Sequence, residues 1–344
     1  MFENITRSFR FYPLFCLLTV LPVQLLHADT LLMQDGSRLQ GEVVRQQDGV
    51  LEFSTSYAGV IRVQWSQVSE LQADQPVEVY LDSGESLQVT TIRNTSQVIV
   101  LGGGASGREV APPALAFINP EPWQRGEGLK LSGMLNFGLE FQQGNTDQQK
   151  LALDGAMQAR RKHDRYKLAV QYQKDKSNDI TTAQNWQLRN KYDYFVTEKR
   201  YYGASLNFEQ DKFADLKLRT SVGPHIGYQF FESKQLNLGA DISLLYVIQD
   251  FDVAPDDEYT ALGWSIDFDK LLFADRVQLY HRQNGLLELG DTGNVVVNSW
   301  TGLRFPLYAG VVASTEAEID YDGGAPVGVD EVDTIWRIKL GYQW

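Results

Sequence analysis

The sequence predicts an all-β chain: a twelve-stranded antiparallel transmembrane β-barrel preceded by a tandem small β-domain of SH3-like or Sm-like type. Three observations carry this. From Leu129 onward, runs of roughly ten residues alternate apolar and polar, as tilted membrane-spanning strands do. Upstream, residues 29–120 hold a weak internal repeat punctuated by Gly turns. The chain ends on "TIWRIKLGYQW", where Trp336, Ile338, Leu340, Tyr342 and Trp344 share one parity and Arg337 and Lys339 the other.

A chain of 344 residues has room for two domains. Hydrophobic residues make up 43%, too few for a bundle of membrane helices. A barrel escapes that test, because only alternate residues face lipid and its hydropathy averages out. Residues 1–28 read as a secretory signal. Arg7 and Arg10 supply its positive start, "FYPLFCLLTVLPVQLL" its apolar core, and Ala28 a cleavage site. Cys16, the single cysteine, lies inside that core, so an exported mature chain uses no disulfides. The net charge of −13 argues against nucleic acid as a partner.

In the repeat, Asp35-Gly36 aligns with Ser83-Gly84, Leu39 with Leu87, Val63 with Val110, Val68 with Leu115 and Leu71 with Ile118. Each copy reads strand, Gly turn, strand, turn, strand and a short apolar closing segment. Two small barrels in tandem are expected, packed together because each core alone is slight. A single irregular β-domain is the alternative. "GGGASG" (102–107) has no following helix and no Lys-Ser/Thr, so it is a hairpin loop rather than a phosphate loop. "NPEPWQRGEG" marks the boundary, with residues 121–128 as linker and 129–344 as the barrel.

The twelve barrel strands run from "LKLSGMLNFGLEFQ" to the closing segment. Their connections alternate between longer, mostly acidic loops such as "DKSNDITTAQN" and "DFDVAPDDE", and short ones such as "KHDR", "TEKR" and "ESKQ". Outer-membrane barrels pair long outer loops with short periplasmic turns. An even strand count returns both barrel ends to the periplasm, where the N-terminal domain would hang. On the last strand, aromatics belong at the membrane interface and cations in the lumen. Leu340, Tyr342 and Trp344 form the expected C-terminal signal for the barrel-assembly machinery.

The segments "LEFQQGNTD", "VGPHIGYQFF" and "KLGYQW" resemble a family of outer-membrane β-barrels carrying a domain of unknown function, described as salt-induced outer-membrane proteins. The opening "DTLLMQDGSRLQGEVV" looks like the periplasmic extension of some members. The resemblance implies an outer-membrane barrel and brings no catalytic residues.

No cofactor, metal or catalytic set is expected. His163, His225 and His281 fall in separate turns or strands without metal-ligand spacing. The acidic loop with Asp250, Asp252, Asp256, Asp257 and Glu258 lacks the Gly and spacing of a calcium loop and reads as a solvated surface, as do Asp330, Glu331 and Asp333. Parity places Lys167, Gln171, Arg189, Lys191, Asp193, Asn207, Glu209 and Asp211 in the lumen, with Glu316, Glu318 and Asp320 opposite Arg337 and Lys339. Among the aromatics upstream, Tyr57 and Tyr80 are exposed candidates and Trp65 a core residue.

The functional expectation is a narrow channel or a solute- or ion-binding barrel in the outer membrane of a Gram-negative envelope. The alternative is a non-catalytic structural protein whose periplasmic domain binds a protein or the cell wall. A lipid-acting enzyme is a third reading, for which no Ser-His motif is found. The expected partners are outer-membrane lipid, the barrel-assembly machinery and a periplasmic or cell-wall component.

Overall fold

The computed structural model of the chain describes residues 28–95, 97–102, 107–142, 148–273, 275–291, 293–324 and 330–344, without the side chains of residues 140–142 and 148. The expected signal segment, the centre of the Gly-rich loop and the tips of the first and last long loops lie outside these residues.

The N-terminal domain is one sheet of nine strands. They are β1 (Asp29–Met33), β2 (Arg38–Gln47), β3 (Val50–Thr55), β4 (Gly59–Gln64), β5 (Val68–Leu81), β6 (Ser86–Asn94), β7 (Ile99–Leu101), β8 (Arg108–Val110) and β9 (Leu115–Ile118). The repeat is visible bond for bond. Gly36 and Gly84, with φ of 86° and 84°, occupy matching turns that only glycine adopts without strain. Gln34 N–H donates to the Gln67 carbonyl at 2.8 Å, and Asp82 N–H to the Ala114 carbonyl at 3.0 Å, closing each copy the same way. A 3-10 turn precedes the fifth strand of both copies, at Trp65–Gln67 and Pro112–Ala114.

The long strand β5 joins the copies. Its first half ends copy one and its second half begins copy two, with the register breaking between Gln72 and Val77. The second strand of each copy reaches the last strand of the other, β6 onto Glu70–Gln72 and β2 onto Ile118. The two copies therefore share one core, built on Leu31, Leu51, Phe53, Leu71, Ile92 and Ile118, each 0% exposed. Neither half has enough apolar residues to close a core alone. Trp65 is buried in this core as expected; Tyr80 is buried too, and Tyr57 is exposed.

The second unit is a closed barrel of twelve antiparallel strands. These are β10 (Lys130–Gln142), β11 (Gln148–Arg160), β12 (Asp164–Ser177), β13 (Ile180–Phe195), β14 (Arg200–Asp211) and β15 (Leu216–Glu232). They continue through β16 (Leu236–Phe251), β17 (Asp257–Leu272), β18 (Val277–Glu288), β19 (Val295–Pro306), β20 (Val311–Asp322) and β21 (Val332–Gln343). Closure comes from β10 against β21, Met134 opposite Gln343 through Phe137 opposite Leu340. Gly133 and Trp344 then exchange backbone bonds of 3.1 and 3.0 Å.

One expected long loop is absent. "DKSNDITTAQN" continues both strands to a two-residue turn, Asn178 and Asp179, with φ of 50° and 64°. Positive φ at both positions is a type I′ turn, which Asn and Asp tolerate and which suits the twist of a hairpin.

Alternation sorts the barrel's side chains. Leu135, Phe137, Leu206, Ile226, Ile242, Leu244, Ile338 and Leu340 are all exposed on its outside. No water-soluble monomer leaves so wide an apolar belt uncovered, and lipid is the solvent that suits it. Aromatic side chains crowd the end where both barrel termini meet, including Tyr194, Tyr202, Tyr228, Phe230, Tyr342 and Trp344.

The linker is more than a tether. Pro122–Arg125 forms a short helix, α1, with a capping box between Glu121 and Gln124. Both Trp123 and Gln124 are buried, Trp123 under Arg160 at the barrel's short-turn end and Gln124 bonded to Gln47 of the N-terminal sheet.

Candidate functional site

The barrel interior encloses a chamber of about 530 Å³. Its wall is charged in both senses, and most of its cations are paired with carboxylates. Lys167 reaches across from β12 to Asp267 on β17 at 2.5 Å. Lys191 on β13 bonds Asp241 on β16. Arg219 bonds Glu209 at 3.1 Å. Arg282 and Arg304 converge on Asp269 at 2.5 and 3.4 Å. Lys339 sits 2.7 Å from both Glu316 and Asp154.

Most of the predicted lumen residues lie here. Lys167, Arg189, Lys191, Glu209, Glu316 and Lys339 line the chamber. Arg337 and Glu318 pair beside it. The register sets Glu316 directly opposite Arg337, 4.0 Å away, and Ser314 opposite Lys339, so the closer pairs of Arg337 with Glu318 and Lys339 with Glu316 run diagonally. Asp193 lies below the chamber in a separate cluster. Asp211, of the same parity as Glu209, is not among the residues lining the chamber. Its carboxylate accepts the Phe213 N–H at 2.9 Å and the Ala214 N–H at 3.3 Å, so it closes the β14–β15 turn instead. A carboxylate at a strand's last position meets the free amides of the turn first.

The cluster around Asp193 is the most buried polar group of the barrel. Arg165 Nε donates to Asp193 Oδ2 at 2.7 Å, and His225 Nε2 meets Oδ1 at 2.7 Å. The side chains of Arg165, Asp193 and His225 are 2%, 0% and 0% exposed. Arg165 Nη1 also donates to Gln229 Oε1 at 2.6 Å. An aromatic and cationic column extends from this cluster to α1. Arg165 lies over Tyr201 and Phe195 at 4.9 and 5.1 Å, and Arg160 over Phe195 and Trp123 at 3.9 and 4.9 Å. Cations over ring faces gain most where water is excluded. Glycine opposite Tyr201 makes room for the ring: a Cβ on Gly227 would lie 2.3 Å from it. This column fills the short-turn end of the barrel.

The N-terminal domain covers the same end. Arg62 donates to Asp275 in the β17–β18 turn through Nη1 and Nη2, at 2.7 and 2.6 Å. Gln235 in the β15–β16 turn donates to Glu52 at 2.5 Å, and Gln47 to the Glu232 carbonyl at 2.5 Å. Lys162 in the β11–β12 turn donates to the Tyr80 hydroxyl at 2.5 Å. Burial alone would raise the Glu52 carboxyl. Arg45, Gln235 and Arg62 outweigh it and hold the group below the ordinary carboxylate range. The bond from Arg62 holds Asp275 low as well. Asp48, facing the same turns, is pushed up by burial.

The remaining candidates supply no chemistry. His163 lies in a turn and lends only its carbonyl to Phe195 N–H, at 2.8 Å. His281 sits on the outer face, 2.8 Å from Thr301 Oγ1. His225 Nδ1 finds no hydrogen-bond partner among the described residues, so the Asp193–His225 pair has no nucleophile beside it. In the acidic loop, Asp256 accepts the Phe251 N–H at 3.0 Å and Glu258 accepts the Tyr246 hydroxyl. Among the described residues no three His, Cys, Asp or Glu side chains converge as metal ligands.

Part of this site is hidden from parity alone. Asp267, Asp269, Arg282 and Arg304 also line the chamber, from β17, β18 and β19, and are not among the residues that parity singles out. Arg165 falls at the start of its strand, where little alternation announces burial, whereas Gln229 continues the inward parity of Ser221 and His225 on β15.

Architecture and interior together define a class: a closed twelve-stranded β-barrel of the outer-membrane type, with a folded N-terminal β-domain. The chain belongs to the family described as "Protein of unknown function, DUF481", whose model matches residues 135–344. Comparison with curated proteins finds no match. Among solved structures, a NanC porin shares 10% identity with a TM-score of 0.39, over 61% of this chain and 98% of that one. The outer-membrane channel DcaP of Acinetobacter baumannii shares 12% at 0.30, over 92% and 94%. The CymD monoaromatic hydrocarbon channel shares 10% at 0.31, over 64% and 89%. These likenesses concern barrel architecture only.

Proposed function

We propose that this protein is a narrow, non-enzymatic channel of the outer membrane that admits small polar solutes and is shut at its periplasmic end. The observation that carries the reading is the pairing of a charged chamber with a filled, covered short-turn end. A wall of matched ion pairs solvates a polar solute and selects among charges. The apolar outer belt supports the membrane location. Both barrel termini and the N-terminal domain lie at the short-turn end, which supports a periplasmic position for that domain. The column from Arg165 to Trp123 and the domain over it act as the closure.

Recording current from the refolded chain in a planar bilayer tests this. The reading expects a quiet baseline with small, rare steps, and longer openings once Arg62→Ala and Gln235→Ala loosen the covering domain. Silence from all folded variants would favour a structural role for the barrel, with the N-terminal domain as its working part.

A further inference from the structure

We propose that Arg189 and Trp300 form a binding site, within the chamber, for the carboxylate group of a small organic anion. This rests on the chamber being a solute site and names the chemistry of its solute.

Arg189 is the exception among the chamber's cations. Lys167, Lys191, Arg219, Arg282, Arg304 and Lys339 each hold a carboxylate. Among the described residues Arg189 holds none. It donates one bond, from Nη2 to Gln171 Oε1 at 2.9 Å, and its guanidinium lies over the Trp300 ring at 4.8 Å. Its direct neighbour on the next strand is Asn207, whose amide is turned to Ser221 Oγ at 3.1 Å. Guanidinium donors not used by Gln171 thus remain available beside the chamber.

Trp300 supplies the second, independent observation. It is 4% exposed, it lines the chamber, and its Nε1–H has no acceptor among the described residues. A buried donor without an acceptor is costly, because it has given up its bond to water. The stacked pair therefore offers donors and no acceptor, and an acceptor-only group answers both. A guanidinium presents its N–H groups in one plane. That matches the two coplanar oxygens of a carboxylate better than the tetrahedral oxygens of a phosphate. The chamber, at about 530 Å³, has the volume of a small-molecule site.

The test is equilibrium binding to the full chain folded in detergent, read by titration calorimetry, which does not require conduction. Sodium gluconate is the probe, sorbitol its neutral counterpart and sodium phosphate the competing oxyanion. Gluconate should bind saturably and sorbitol should not. Arg189→Gln should weaken gluconate at least tenfold, and Trp300→Phe should weaken it less, because the ring remains and only the N–H is lost. The folded state of each variant is checked by heat-modifiable migration. If Arg189→Gln does not fold, Trp300→Phe carries the test alone. Gluconate binding unchanged by the substitutions, equal binding of sorbitol, or tighter binding of phosphate overturns the proposal. Binding without any bilayer current would overturn the channel reading and leave this site standing.

Discussion

Arg62 and Asp275 stand 213 residues apart and meet through two parallel bonds of 2.7 and 2.6 Å, one residue from each domain. This fork is the clearest tie between the N-terminal sheet and the barrel's short-turn end. The side chains are 29% and 30% exposed, so the pair contributes little by itself, about 1 kcal/mol. Arg62→Ala should leave both domains folded and raise hydrogen exchange in the 273–276 turn and in β4. Unchanged exchange at both places would remove the pair from the docking account.

The docking should depend on pH in a defined direction. Asp275 and Glu52 are held below the ordinary carboxylate range when the domains are together. Their contribution is complete above that range and lost as pH falls through the lowered values. Asp48, pushed up by burial, acts oppositely, since its cost is relieved at a higher pH than the other two protonate. Domain separation, followed by limited proteolysis of the 119–129 linker, should therefore rise at the acid end. Arg62→Ala should flatten that rise.

Within the barrel, Asp193 accepts from both Arg165 and His225 with no exposure to solvent. Asp193→Leu strands the Arg165 guanidinium and should cost about 3–5 kcal/mol. Removing both charges with Arg165→Met and Asp193→Leu should cost less than the single change, because no bare charge stays buried. Denaturant titration in detergent measures both. A double variant no more stable than Asp193→Leu would contradict the pairing.

Gly227 leaves the space into which Tyr201 folds from the next strand. Gly227→Ala should destabilise the barrel by about 1–3 kcal/mol through overpacking. It should also displace the Tyr201 hydroxyl from its 3.3 Å contact with Asp241. Near-ultraviolet circular dichroism and thermal migration would register both effects, and neither would change if the ring has another resting place.

Trp344 closes the barrel seam by exchanging backbone bonds with Gly133 and stacking on Tyr342, ring centroids 6.2 Å apart. Deleting Trp344 should slow insertion into lipid vesicles severalfold and leave a barrel that melts earlier. Equal insertion rates would deny the terminal aromatic any part in assembly.

The barrel was legible because its chemistry is periodic. Alternation in β10, β16 and β21 names the lipid face directly, and the Gly turns at Gly36 and Gly84 name the repeat. The turn at Asn178-Asp179 looks like a long loop in the sequence because polar strand ends resemble loops when no lipid requires them to be apolar. The site was half legible. Parity found Lys167, Arg189 and Lys339, since each is a charge inside an alternating run. It could not find their partners, because Lys167 and Asp267 meet across the barrel, 100 residues apart. Asp211 shares the parity of the lumen residues, and its carboxylate is taken up by the free amides at the strand's end. Nothing in a local pattern shows that Trp123 packs on Arg160, since that contact depends on how two domains meet.

Single-channel current from the intact chain tests the central claim most directly, compared with Asp193→Asn in the same bilayer. A shut but hollow barrel predicts rare, small steps from the intact chain and longer open times at unchanged step size for Asp193→Asn. A large, steady conductance from the intact chain, or equal silence from both verified folded proteins, would contradict it.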